Sequence, residues 1–318
     1  MKYRHALPQL CGQRLLSDGG LETTLIFQDG IELSGFAAID MLTTPERRRH
    51  LRRYFEDYIE MAIECGTGFI LESPTWRSSH GWAEAVGYSA DTLDELNHLA
   101  IEMMLALASK YDTPETPMVV SGCIGPRGDG YVPAERMTAE ETRRYHSRQI
   151  EIFADAGADC VSAFTMNYAD EAIGIALAAR DARIPGIISF TVETDGSLAT
   201  GETLAEAITT VDEATDGSPA YYMINCAHPT HFESALDPDS GWTRRVVGLR
   251  ANASKCSHAE LDNSTELDTG NPDELAESYR RLTDRMPHVG VIGGCCGTDM
   301  RHIRAIADRH FENRLCVA

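Results

Sequence analysis

The sequence predicts a single α/β domain over residues 1–318, a (β/α)8 TIM barrel. Three observations predict it. Apolar, β-branched runs alternate with amphipathic stretches of helical period along the whole chain, as parallel strands and their crossover helices do. Eight such units fit the 318 residues, a common length for one barrel. No G-x-G-x-x-G follows the first strand, which weakens the alternative, a doubly wound dinucleotide-binding sheet.

The elements follow in order. R-L-L-S is a short first strand that ends at Asp18-Gly19-Gly20. Thr44-Pro45-Glu46 opens a helix, with Thr as cap and Pro at the first position; it runs to Cys65 and stops at Gly66. G-F-I-L-E is strand two, ending at Glu72, and a helix over 91–110 follows. P-M-V-V-S-G-C is strand three. Thr138 and Glu141 form a capping box for the next helix. Strands four to eight are D-C-V-S-A-F-T, G-I-I-S-F-T-V, Y-Y-M-I-N-C, R-V-V-G-L-R and V-G-V-I-G-G. Their helices are predicted over 170–182, 202–214, 229–236, 272–285 and 299–311. The polar stretch 252–270 reads as a loop over the active face.

Composition narrows the function. A formal net charge of −21 repels nucleic acid and anionic membranes. No apolar run nears the roughly 18 residues that span a bilayer, and no signal peptide is evident. Nine cysteines without a secretory signal indicate a reducing, cytoplasmic compartment with free thiols or metal ligands. Lys2, Lys110 and Lys255 are the only lysines, which disfavours Schiff-base chemistry. The partners expected are small molecules, and the oligomeric state stays open.

Chemistry concentrates at Cys295-Cys296 in V-I-G-G-C-C-G-T. Adjacent cysteines rarely satisfy disulfide geometry, and the flanking glycines allow a tight turn. Two thiolates presented this way suit one soft metal ion. Cys226, in Y-Y-M-I-N-C-A, is the best third ligand. Three sulfurs on Zn2+ leave one position open, the pattern of a catalytic site. A barrel places its chemistry at the C-terminal strand ends, where Asp18, Glu72, Cys123, Cys226, Asn252, Cys295 and Cys296 all fall. Sulfur-only ligation suits activation of a thiol for attack on carbon more than activation of water. Trp76 and Trp82 offer aromatic faces for a sulfonium or ammonium methyl group. Cys11, Cys65, Cys160, Cys256 and Cys316 read as ordinary small residues, Cys123 as packing, and His302 and His310 as lying on a solvated helix.

With L-S-D-G-G-L-E-T, C-I-G-P-R-G-D-G, I-N-C and V-I-G-G-C-C-G-T, the chain from about residue 15 to 310 resembles the zinc-dependent homocysteine S-methyltransferase family. The resemblance implies a (β/α)8 barrel that moves a methyl group from an onium or folate donor to homocysteine, giving methionine. It implies Cys226, Cys295 and Cys296 as zinc ligands. It places Asp18, with Gly19 beside it, near the substrate amine, and it makes Asn252 part of a P-N-[SA]-G-like element led here by Arg250 and Ala251. S-methylmethionine and S-adenosylmethionine are the expected donors. Two departures stand out. Phe164 occupies the place of the family glutamate that holds the homocysteine amine, and Glu72 replaces a small hydroxyl residue. Glu72 is therefore expected to supply the missing carboxylate. The alternatives are another thiol or selenol acceptor, or a zinc- or thiol-binding barrel without turnover.

Overall fold

A computed structural model of the chain describes residues 1–133 and 135–311; Cys316 lies outside them. Eight parallel strands close into a barrel in sequence order. They are β1 (Leu15–Leu16), β2 (Gly68–Glu72), β3 (Met118–Ile124), β4 (Cys160–Met166), β5 (Gly186–Phe190), β6 (Tyr221–Asn225), β7 (Val246–Ala251) and β8 (Val291–Gly294). Leu15 pairs with Gly68 on one side and Val291 on the other, which shuts the ring. The helices that follow them are α1 (Pro45–Glu64), α2 (Ala90–Tyr111), α3 (Ala139–Ala156), α4 (Ala169–Asp181), α5 (Leu204–Thr215), α6 (Pro229–Phe232), α7 (Pro272–Arg285) and α8 (Met300–Phe311).

Every strand is buried along its length, as expected when helices cover one face and a packed interior the other. Side chains alternate accordingly. Leu16, Phe69, Leu71, Val120 and Ile292 face the helices, while Leu15, Ile70, Val119, Tyr221 and Val291 fill the barrel. The local signals act as anticipated at the helix starts. Thr44 accepts from the Arg47 amide with Pro45 at the first position, and the Thr138–Glu141 capping box forms.

The structure adds what periodicity did not show. Short helical turns occupy the loop after β1, between residues 21 and 42, and His258–Asp262 forms a helix within the polar stretch 252–270. The first of these segments is too short and too irregular in its apolar spacing to stand out. The helix after β6 covers four residues, shorter than the stretch predicted. His302 is fully buried rather than solvated: its Nδ1 lies 3.0 Å from Asp299 and its Nε2 2.7 Å from the Thr269 carbonyl.

Candidate active site at the barrel mouth

The ends of β6 and β8 are set by β7, which lies between them. The Cys226 amide donates to the Arg250 carbonyl at 3.1 Å and the Cys295 amide to the Ala251 carbonyl at 2.9 Å. The Ala253 amide donates to the Cys296 carbonyl at 3.1 Å. One strand thus brings cysteines some 70 residues apart in sequence to one point. The three sulfurs all lie within 4.8 Å of one another, with Cys226 Sγ 2.6 Å from Cys295 and 3.6 Å from Cys296. Zinc–thiolate bonds of about 2.3 Å set tetrahedral sulfurs roughly 3.8 Å apart, so small side-chain adjustments would seat one soft ion here. Among the three, Cys295 ionises most easily. Its thiolate takes hydrogen bonds from Cys226 and Cys296, with Arg250 adding positive charge, while the protons shared with it hold the other two thiols up.

The cluster is held under backbone strain. Cys226 has φ 56° and Thr165, on β4, φ 64°, a region that costs a non-glycine residue on the order of 1–3 kcal/mol. Asn225 braces both. Its Oδ1 accepts from the Thr165 amide at 3.0 Å and from Ser189 Oγ at 2.6 Å, and its Nδ2 donates to Thr165 Oγ1 at 3.1 Å. The β4–β5 register shifts between Ala163 and Met166, so the irregularity falls where Phe164 and Thr165 enter the cavity wall.

That cavity, about 430 Å³, is lined by Asp18, Gly19, Glu72, Trp76, Phe164, Arg250, Asn252 and the three cysteines. Asp18 is buried and fully engaged. Its Oδ1 pairs with Arg250 Nη2 at 2.7 Å and its Oδ2 accepts from Tyr54 at 3.1 Å. Burial still holds its pKa above the ordinary carboxylate value, against the pull of Arg250 and Tyr54. Gly19 offers its carbonyl to Arg250 Nη2 at 3.2 Å. Glu72 is 7 % exposed, and its Oε2 is a buried acceptor without a partner. Burial lifts its pKa to about 7, opposed by Arg250 and by Ser121. Asn252 donates through Nδ2 to the Cys226 carbonyl at 3.0 Å, so it supports the turn that carries this cysteine. Cys123 also lines the cavity and is buried.

The aromatic pair has another occupant. Arg77 places its guanidinium carbon 4.8 Å from the Trp76 ring, 4.4 Å from Trp82 and 5.9 Å from Phe36. Trp76 keeps a place in the cavity wall, whereas Trp82 is not among the lining residues. Four contributors escaped the sequence reading as functional residues: Arg250, Arg77, Asn225 and Tyr131. Tyr131 sets its hydroxyl 3.3 Å from Cys226 Sγ and stacks on His258 at 4.1 Å. Asn225 carried a signal in sequence as the residue directly before a strand-end cysteine, and Arg250 as the last residue of the predicted seventh strand. Lys255 pairs at the surface with Glu274, away from the cavity.

The described residues place the cluster, the carboxylates and the cavity together, and comparison with known proteins agrees with the architecture. The sequence profile described as homocysteine S-methyltransferase matches residues 15–310. Homocysteine S-methyltransferase 2 of Arabidopsis thaliana is 25% identical, over 93% of each chain. Selenocysteine Se-methyltransferase of Brassica oleracea var. italica is 26% identical over 95% of this chain and 90% of its own. The crystal structure of the homocysteine methyltransferase MmuM from Escherichia coli, in a metallated form, superposes with a TM-score of 0.72 at 21% identity, covering 93% of this chain and 96% of that one. The chain is a methyltransferase and belongs to the homocysteine S-methyltransferase family.

Proposed function

We propose that this enzyme transfers a methyl group from S-methylmethionine or S-adenosylmethionine to homocysteine, with Zn2+ held by Cys226, Cys295 and Cys296. The observation that carries the reading is the convergence of three sulfurs within 4.8 Å in the wall of the cavity that holds Glu72 and Asp18. Zinc bound to three thiolates lowers the pKa of an incoming thiol and leaves its sulfur nucleophilic.

The protein's own residues do the rest. Asn225 and the strained turn at Cys226 fix the direction from which the acceptor sulfur enters. Glu72 presents a buried carboxylate oxygen without a partner, and it takes the ammonium group of homocysteine in place of the family glutamate at Phe164. Asp18 acts through Arg250, which it orients. Phe164, Trp76 and Phe36 wall the cavity and keep water from the thiolate. The acceptor sulfur displaces the sulfonium in line: the new S–C bond forms as the old one breaks, and the donor leaves as a neutral thioether. Positioning and desolvation supply most of the rate. Arg77 is held among three rings, so these faces already carry the protein's own cation and the onium methyl is expected nearer the cysteines.

No helix among the described residues is long and apolar enough to cross a membrane. The free thiols accord with a reducing, cytoplasmic setting. The test is direct. Zinc-loaded protein is given homocysteine with each donor in turn, and methionine is measured. One methionine per S-adenosylmethionine consumed is expected, and two per S-methylmethionine, since that donor itself leaves as methionine. Zinc at one per chain with no methionine from either donor would overturn the reading; product with selenocysteine instead would move it to a selenol acceptor.

A further inference from the structure

Two groups of opposite charge in the cavity wall offer a partner to a ligand, and the proposed reaction uses only the first. One is Glu72 Oε2, buried without a partner. The other belongs to Arg250, 8 % exposed. Its Nε donates to the Gly294 carbonyl at 3.0 Å, and its Nη2 to Asp18 Oδ1 and the Gly19 carbonyl. Its Nη1 makes no hydrogen bond among the described residues, although the side chain lines the cavity. That nitrogen is open to the cavity, so a ligand anion could take it as a charge-assisted donor. The guanidinium is not free to swing away, since Asp18 and two carbonyls hold its other nitrogens. Its carbon sits 5.2 Å from the centre of the Phe164 ring.

We infer that Arg250 binds the α-carboxylate of the acceptor through Nη1 while Glu72 binds its ammonium, so that the two together recognise an amino-acid zwitterion. The inference rests on the proposed amino-thiol acceptor and extends it to a second recognition group. It also gives the departure at position 164 a physical reason. A glutamate there would lie against Arg250, pair with it and use up the free donor. A phenyl ring stacks on the guanidinium, keeps it flat against the wall and leaves Nη1 available. Moving the amine-binding carboxylate to Glu72 on β2 puts it on a separate strand from both Phe164 and Arg250. No ion pair within 4.0 Å joins Glu72 to Arg250 among the described residues; Arg250 pairs with Asp18. Each can therefore meet one end of the ligand.

The experiment is calorimetric titration of zinc-loaded protein with three thiols: homocysteine, 3-mercaptopropylamine, which lacks the carboxylate, and 4-mercaptobutyrate, which lacks the amine. Wild type is expected to bind homocysteine at least about tenfold more tightly than either, as charge-assisted contacts predict. Arg250→Gln should bring homocysteine and 3-mercaptopropylamine within about twofold of each other while preserving the penalty for losing the amine. Arg250→Lys should restore part of the carboxylate preference. Arg250 also neutralises Asp18, so zinc content and a thermal melt accompany each variant. If the variants do not fold, the wild-type ligand series decides alone: equal affinity for homocysteine and 3-mercaptopropylamine overturns the inference. A wild type that forms no methionine yet prefers the carboxylate-bearing thiols overturns the proposed reaction and supports the role of Arg250.

Discussion

At the level of single residues, the buried carboxyl of Glu72 is a source of instability once it ionises. Burial raises its carboxyl from the ordinary 4.5 to about 7. The folded state therefore holds this proton more tightly than the unfolded chain does. Its effect is nil below pH 4.5, grows as a loss of stability between pH 4.5 and 7, and is complete above that. The shift corresponds to roughly 3 kcal/mol. Glu72→Gln should raise the melting temperature at pH 8 by several degrees and leave it nearly unchanged at pH 4.5; a shift of equal size at both values would contradict the assignment. The same variant should raise the KM for homocysteine about tenfold or more at pH 8, the loss of one buried ion contact. The wild-type-to-variant ratio of kcat/KM should increase as pH rises through 7, because only the ionised carboxylate holds an ammonium group. Cys226→Ser tests the other half of the site. Removal of one of three sulfurs should reduce bound zinc below about a tenth per chain and activity by at least about a thousandfold, measured by metal analysis alongside methionine formation. Full zinc retention would remove Cys226 from the ligand set.

At the scale of the element, the turn after β8 sets the geometry of the cysteine pair. Gly297 has φ +76°, and a Cβ there would lie 2.6 Å from the Asp268 carbonyl oxygen. Gly297→Ala therefore combines left-handed strain with a backbone clash, and is expected to cost about 2–4 kcal/mol and to weaken zinc binding. Gly217, at φ +66° with nothing near its Cβ position, supplies the control. Alanine there should cost only about 1 kcal/mol and leave zinc untouched. Urea melts with metal titrations distinguish the two, and equal effects at both sites would show that the turn does not shape the cluster. β7 has a comparable part without supplying a sulfur. Its carbonyls hold the amides of Cys226 and Cys295, and its own Arg250 faces the cavity.

At the scale of the whole molecule, the charge of −21 acts on stability as well as on partners. Many surface carboxylates are paired, as in Arg143 with Asp181 or Arg304 with Glu64, but arginine and lysine together number 28 against 49 acids. The excess repels itself in the compact state. Screening lengths fall from about 30 Å at 0.01 M salt to 3 Å at 1 M. The melting temperature should therefore rise by a few degrees between 10 mM and 0.5 M sodium chloride. A fall would mean that the surface pairs outweigh the repulsion.

The barrel is legible in the residue order, because strand and helix periods, caps and breakers are local properties written at each position. It also marked the three cysteines, whose flanking glycines and strand-end places are legible in one dimension. Asp18, Glu72 and Asn252 were likewise found as strand-end polar residues. What those groups meet follows from barrel closure alone. Asp18 is tied to Arg250 across 232 residues of chain, whereas Glu72 keeps a buried oxygen without a partner. Trp76 and Trp82 are paired with Arg77 by a packing no spacing announces, and a histidine on an apparently solvated helix is sealed inside. The reason is physical: backbone preference is set by near neighbours, whereas the charge and hydrogen-bond state of a buried group depends on residues that only barrel closure brings beside it.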